Sequence, residues 1–283
     1  MRTECYFCAT KTVEKLIQKF NPTPAVAEEF IFDFNNLLVD YRDKTNPELA
    51  TATHRLAKNR LNNNDLYLLE KKEANKKILS LYDNWRKLIN NSNNSLHQAA
   101  KLAVIGNVID YGAHAIEDDI INQINTLLKK PLAIDNSKEL FNAIKKAKSI
   151  LYLADNNGEI VFDKLFIETI NHKNITVAVR DTPVINDVTI DDVENIGLNN
   201  ICNIISNGYD APSTILKFCS KEFIDIYNNA DLIISKGQGN FEGLIDEKKN
   251  NLFFLLMAKC KPMADMLNVN KYDLVIKQAP VNL

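Results

Sequence analysis

Apolar positions keep a helical rhythm as far as about residue 130 and a different one after it. Val13, Leu16, Ile17 and Phe20 recur at spacings of three and four, which places them on one buried helix face. Asn21-Pro22-Thr23-Pro24 stops that helix and starts the next. The same spacing predicts helices over Ala25–Tyr41, Pro47–Asn62, Asp65–Asn90 and Ser95–Ala115. Between Pro47 and Lys130 there is no further proline, and glycine stands only at Gly106 and Gly112. Residues 1–130 therefore read as a helical subdomain.

From Pro131 short apolar runs alternate with amphipathic stretches. Ile150–Ala154, Ile175–Val179, Ile201–Ser206, Leu232–Ser235 and Leu274–Ile276 read as strands. Ser137–Lys148, Glu159–Ile170, Ala211–Phe218 and Asn251–Ala258 read as helices between them. Brief buried strands alternating with helices predict an α/β unit over 131–283, Rossmann-like, with a mainly parallel sheet and helices on both faces. No tandem repeat is visible.

Composition narrows the choice of partners. The 283 residues carry 34 Lys+Arg and 36 Asp+Glu, a net charge of -2, so no global field favours nucleic acid or an anionic membrane. An anionic ligand must then be held locally, by a metal ion, a helix N-terminus or a single Lys. Apolar runs such as Leu252–Met257 fall far short of the ~20 residues of a membrane span. Met1-Arg2-Thr3-Glu4-Cys5 has no apolar core of a signal peptide. Five cysteines, an odd number, suggest no disulfide framework, and a reducing cytoplasm is the expected location.

In an open parallel sheet, ligands bind beyond the carboxyl ends of the strands. After the first predicted strand stands Asp155-Asn156-Asn157-Gly158-Glu159. Asp155 and Asn156 offer hard oxygens suited to Mg²⁺ or Mn²⁺, and Gly158 permits a tight turn into a helix whose free N–H groups attract anions. The alternative is an Asx-type helix cap. After the second strand, Arg180-Asp181-Thr182-Pro183-Val184-Ile185-Asn186-Asp187 places Asp187 one strand–helix–strand unit beyond Asp155. Asp187 could complete a carboxylate–amide–carboxylate set, or it could begin another helix with Asp191 and Asp192 in the first turn. Arg180 is free to pair with an acid or with a substrate anion.

Beyond the third strand, Ser206-Asn207-Gly208-Tyr209-Asp210-Ala211-Pro212 can present backbone N–H groups to a phosphate, or be an ordinary loop. Beyond the fourth, Lys236-Gly237-Gln238-Gly239-Asn240-Phe241-Glu242 reads as a glycine-rich loop with a Lys for phosphate, although it is neither a Walker loop nor G-x-G-x-x-G. In the helical half, Gly106-Asn107-Val108-Ile109-Asp110-Tyr111-Gly112 interrupts an apolar helix, with Asn107 and Asp110 on one face. Cys5 and Cys8 form a C-x-x-C. Cys260 could add a third ligand, but no fourth is evident, so plain helix-start thiols are the simpler reading. His54, His97, His114 and His172 form no metal-ligand spacing.

Taken in order, these segments resemble the damage-control phosphatase family, also called domain of unknown function 89, in its subgroup with an N-terminal C-x-x-C. The series is Cys5/Cys8, G-N-x-I-D-x-G at 106–112, D-N-x-G-E at 155–159, R-x-x-P-x-I-N-D-V-T at 180–189, S-N-G-x-D-A-P at 206–212, K-G-x-G-N-x-E at 236–242 and Lys259-Cys260. Ser213 departs from the Gly expected after Ala211-Pro212. The resemblance implies an all-α part on an α/β domain and one divalent metal ion (Mn, Ni, Co or Mg) on Asp155, Asn156 and Asp187. It also implies hydrolysis of phosphate monoesters of sugars and related damaged or side-product metabolites. The expected catalytic set is Asp155, Asn156, Asp187 and Lys236. Asn107, Asp110, Gly158, Glu159, Arg180, Asn207, Gly237, Asn240 and Glu242 are the expected substrate contacts. Two rivals stand beside it: an S-adenosylmethionine-dependent methyltransferase, which would want more glycine after the first strand, and a non-catalytic phosphometabolite-binding protein.

Overall fold

Ile150, Leu151, Tyr152 and Leu153 are all buried, yet they feed two different cores: Ile150 and Tyr152 one, Leu151 and Leu153 the other. That alternation marks a central strand covered on both faces. The computed structural model describes residues 1–109 and 120–280. It opens with α1 (Thr3–Phe20), α2 (Pro24–Asp40), α3 (Asn46–Arg60), α4 (Leu68–Leu79), α5 (Tyr82–Asn90), α6 (Ser95–Gly106) and α7 (Ile120–Leu128). There follow β1 (Leu132–Asp135), α8 (Ser137–Lys146), β2 (Ile150–Leu153), α9 (Glu159–Ile170), β3 (Ile175–Val179), α10 (Ile190–Asn195), β4 (Asn203–Ser206) and α11 (Lys221–Asn229). The chain closes with β5 (Leu232–Lys236), α12 (Gly237–Leu244), β6 (Leu252–Met257), α13 (Lys261–Leu267) and β7 (Leu274–Gln278).

Among the described residues seven strands lie in the order β1-β7-β6-β5-β2-β3-β4, parallel except for the antiparallel pairing of β6 with β7. From β2 the chain runs outward through β3 and β4, then returns to place β5 on the other side of β2. The gap beyond the ends of β2 and β5 is thus the topological switch point, where α/β sheets hold their ligands.

Helices cover both faces. One core joins the sheet to α4, α5, α6 and α9, with Trp85 edge-on to Phe162. The other joins it to α11, α12 and α13 through Phe223, Phe241 and Met263. A separate cluster, centred on Val13, Phe30, Phe34 and Ala57, holds α1, α2 and α3 together as a cap, and Ile185 packs against it. Local residues delimit the cap helices. Asn21 ends α1 in the left-handed conformation, Thr23 caps α2 with Pro24 in its first turn, and Thr45 and Glu48 form a capping box on α3.

Four expectations need correction. The stretch 65–90 is two helices, broken at Ser80-Leu81. Asn251–Ala258 is not a helix but strand β6, buried throughout between β5 and β7; a short unbroken apolar run carries no period to separate the two. Ala211–Phe218 is a loop with a single 3₁₀ turn, because Ser213 and Thr214 bond to Gly239 O and Asn240 rather than continuing a helix. The glycine-rich segment from Gly237 is the start of α12, with Gly237 itself at φ 77° making the turn.

Candidate active site

The end of β2 and the segment after β3 are fastened to one another by backbone. Asn157 N–H donates to Asn186 O at 2.8 Å, Val188 N–H to Asp155 O at 2.9 Å, and Arg180 N–H to Val188 O at 2.9 Å. Asn156 and Asp187 face each other in an isolated bridge. Asn157 completes the fastening: its side-chain amide donates to Asn186 O, Asp187 O and Asp192 Oδ2, while its oxygen accepts from Asn75 Nδ2. Asp155, Asn156 and Asp187 are thereby brought together on the wall of one cavity of about 190 Å³.

The capping alternatives are disposed of locally. No side chain caps α9, whose N-cap is Gly158 with φ 79°. The cap of α10 is Thr189, in a capping box with Asp192, so Asp187 is not spent on it.

Each ligand candidate is held from behind. Asp155 Oδ2 accepts from Asn107 Nδ2 at 3.0 Å and Asn156 Nδ2 at 2.7 Å. Arg180 Nε donates to Asp187 Oδ2 at 2.7 Å, and its Nη2 stands 3.9 Å from Asp155 Oδ1, so one guanidinium spans both carboxylates. With Nδ2 of Asn156 given to Asp155 and Glu159, its amide oxygen is the atom left to meet a cation. Burial, then the charges of Glu159 and Asp187, push the Asp155 pKa well above the carboxylate range, against the pull of Lys259 and Arg180. Such a crowd of buried acid is the environment that a divalent cation relieves.

The other expected residues take different places. Lys236 does not reach the cavity: its ammonium is wholly buried on Glu159, Asp163 Oδ1 (2.7 Å) and Ala103 O (2.9 Å), which uses its three donors. Burial pulls its pKa down, but Asp163 and Glu159 outweigh that and hold it at about 12. Glu159 therefore anchors Lys236, Asn107 and Asn156 behind the ligands instead of touching substrate. Asn240 is saturated as well, its oxygen by Arg180 and Thr214 and its amide by Ala154 O and Lys236 O. The Gly158 N–H is taken by Asn75 Oδ1. Asn207 supports the turn at Tyr209, away from the cavity. Gly237 lies against the Asp155 carboxylate. Glu242 does line the cavity, held by Asn46 and Gln238, with burial raising its pKa. Asp110 and His114 lie outside the described residues.

Sequence reasoning named Lys259 only within the Lys259-Cys260 piece and gave neither it nor His54 a place at the site. Lys259 lines the cavity and its charge acts on Asp155. It follows strand β6, so the strand-end rule would have found it had that run been read as a strand. Asn46, Thr53 and His54 reach the same cavity from α3. The five cysteines are free thiols, and among the described residues no three His, Cys, Asp or Glu side chains gather as a metal site. The cation-binding candidate is instead two carboxylates and one amide. No helix among the described residues is long and apolar enough to cross a membrane.

Comparison with known proteins identifies the family and the fold. Residues 1–275 match the damage-control phosphatase ARMT1-like domain. A damage-control phosphatase of Pyrococcus horikoshii is 34% identical over 280 residues, covering 96% of both chains. One of Archaeoglobus fulgidus is 31% identical over 238 residues, covering 82% of each. The crystal structure of a DUF89 family protein from Pyrococcus horikoshii superposes with a TM-score of 0.88 at 32% identity, over 98% of both chains.

Proposed function

This chain belongs to the damage-control phosphatase ARMT1-like family, and we propose that it is a metal-dependent hydrolase of phosphate monoesters of small metabolites, sugar phosphates among them. The observation that carries the reading is the convergence of Asp155, Asn156 and Asp187 on one cavity that also receives Lys259.

The donor set fits a hard divalent cation such as Mn²⁺, Ni²⁺, Co²⁺ or Mg²⁺: oxygen atoms only, two of them from buried acids whose mutual repulsion calls for positive charge. When bound, such a cation would offset phosphoryl charge and lower the pKa of water. The protein's own groups do the rest. Lys259 supplies a point charge for the remaining phosphoryl oxygens. Arg180 and Asn107 keep the Asp187 and Asp155 carboxylates from turning, so that their oxygens need no reorganisation when charge develops. The cap helices α1 and α3 close the far wall around the alcohol portion of the substrate, with Thr12, Asn46 and Thr53 as polar contacts.

Phosphate release from a panel of sugar phosphates, measured with each of the four metals and with chelator, tests this reading. Activity that needs metal and disappears in Asp155→Ala and Asp187→Ala supports it. No release under any condition, or full activity in those variants, rejects it.

A further inference from the structure

Hydrolysis of a sugar phosphate makes a demand that the groups described so far do not meet. The alcohol departs as an alkoxide, a strong base that leaves readily only when a proton is delivered to its oxygen. Among the described residues, the titratable groups on the cavity wall are Cys8, His54, Asp155, Asp187, Glu242 and Lys259. Asp155 and Asp187 are the cation-binding candidates, and Lys259, whose charge acts on Asp155, belongs to the phosphoryl side. His54 is neutral near pH 7, because burial pulls its pKa to about 4; its Nδ1 is spent on Ala50 O and its Nε2 is enclosed. The Cys8 thiol is a weak hydrogen-bond donor. Glu242 is the acid that remains.

Its place and its fastening suit that task. A Cβ on Gly239 would stand 3.9 Å from Asp155 Oδ1. Glu242 follows three residues later on α12, hence on the same helix face, and residues so spaced have Cβ atoms ~5–6 Å apart. One helical turn thus separates the Glu242 stem from the cation-binding end of the cavity, which leaves room for a phosphoryl group between them. Glu242 lines the cavity without being fully enclosed, unlike Asn240 two residues before it. From the cap, Asn46 Nδ2 donates to its Oε2 at 2.8 Å; from its own helix, Gln238 Nε2 donates to its Oε1 at 2.9 Å. Each oxygen uses one position in this way and keeps another for a proton. Gln238 is fixed in turn, its Oε1 accepting from the Lys259 N–H at 3.0 Å.

The surroundings favour the protonated form. Burial pushes the Glu242 pKa up, against the pull of the Asn46 and Gln238 amides. The titratable groups whose charge it meets are the Cys5 thiol on α1 and the Cys260 thiol beyond β6, with Cys8 and Lys259 on the same cavity wall. Burial raises Cys5 and Cys260 as well, so these two stay uncharged at neutral pH.

We infer that Glu242 is the general acid of the reaction, giving its proton to the ester oxygen of an alkyl phosphate. The inference rests on the phosphatase reading above. As the oxygen of a water molecule bonds to phosphorus, the bond from phosphorus to the ester oxygen breaks. Its electron pair stays on that oxygen, which takes the Glu242 proton and leaves as the alcohol. The proton shed by the attacking water passes to solvent, and solvent returns one to Glu242.

The test compares kcat for 4-nitrophenyl phosphate, whose phenolate leaves without a proton, with kcat for the best-cleaved of glucose 6-phosphate, ribose 5-phosphate and glycerol 3-phosphate. Both are measured across pH in the wild type, Glu242→Gln and Lys259→Ala. In Glu242→Gln the ratio of alkyl to aryl rates falls at least a hundredfold. In the wild type that ratio declines as pH rises and Glu242 loses its proton, while in Glu242→Gln it is flat; the nucleophile's own pH dependence cancels in the ratio. Lys259→Ala leaves the ratio within threefold of wild type. Should Glu242→Gln not fold, Glu242→Met takes its place. An unchanged ratio in the Glu242 variant overturns the inference, even where both rates drop together, since a loosened site lowers them alike. A fall in the ratio confined to Lys259→Ala overturns it too. A wild type that cleaves the aryl ester alone overturns the general acid and leaves a phosphatase standing. Release from no ester with any of the four metals rejects both.

Discussion

A Cβ on Gly237 would fall 1.8 Å from Asp155 Oδ2, so the turn that starts α12 and the carboxylate that ends β2 occupy adjoining space with nothing to spare. Gly237 also has φ 77°, where a side chain is strained. Gly237→Ala should therefore displace the Asp155 carboxylate. On the proposed function, we expect at least a hundredfold loss of phosphatase activity and a drop in melting temperature, measured by steady-state kinetics and calorimetry. Activity within threefold of wild type would contradict this placement.

Asp155→Asn separates stability from function. It removes one charge from a buried cluster with Glu159 and Asp187 while keeping an oxygen to accept from Asn107 and Asn156. Activity should fall about a thousandfold or more, and without metal the variant should melt higher than the wild type, the usual trade at a charged site. Thermal melts in chelator, with and without the substitution, check the sign.

The two lysines at the site should behave oppositely. Lys236→Met strands Glu159 and Asp163 in the interior, and breaking such a buried pair costs about 3–5 kcal/mol. Adding Glu159→Gln should restore part of the loss, as read from urea unfolding. Lys259→Ala removes a charge from the cavity wall, so it should raise KM for phosphate esters about tenfold or more while shifting the melting temperature by no more than about 2 °C. A stable, low-affinity Lys236→Met variant would reverse these assignments.

His54 makes stability depend on pH. Burial, with Lys58 adding to it, pulls its pKa from 6.5 to about 4. Below pH 6.5 the unfolded chain takes up this proton, while the native chain does so only near pH 4. The stability present above pH 6.5 is thus lost as pH falls across that window, by roughly 3 kcal/mol in full. Urea titrations at pH 7.5 and pH 4.5 should show a smaller loss in His54→Gln than in the wild type.

Much of this was legible from residue order alone, and the gaps have physical causes. Alternating short runs and helices identify the sheet, and the strand-end rule picks out Asp155, Asn156 and Asp187, which the fold does bring together. The same rule selects Lys236 for phosphate, but position after a strand does not say which way a long side chain turns. Asp163, one turn beyond Glu159 on α9, supplies the second carboxylate that draws Lys236 inward. Leu252–Met257 hid Lys259, because unbroken apolar sequence has no period by which a central strand differs from a buried helix. The place of His54 in the cavity wall was invisible for another reason: that wall is assembled from distant segments, which leave no mark in local spacing.

The cap helix α3 carries Asn46, Thr53 and His54, while Asp155, Asn156 and Asp187 belong to turns of the sheet encoded far downstream. The two sides of the cavity are thus written in separate stretches of the gene. On the proposed function, substitutions early in the chain reshape the wall around the ligand while leaving Asp155, Asn156 and Asp187 in place.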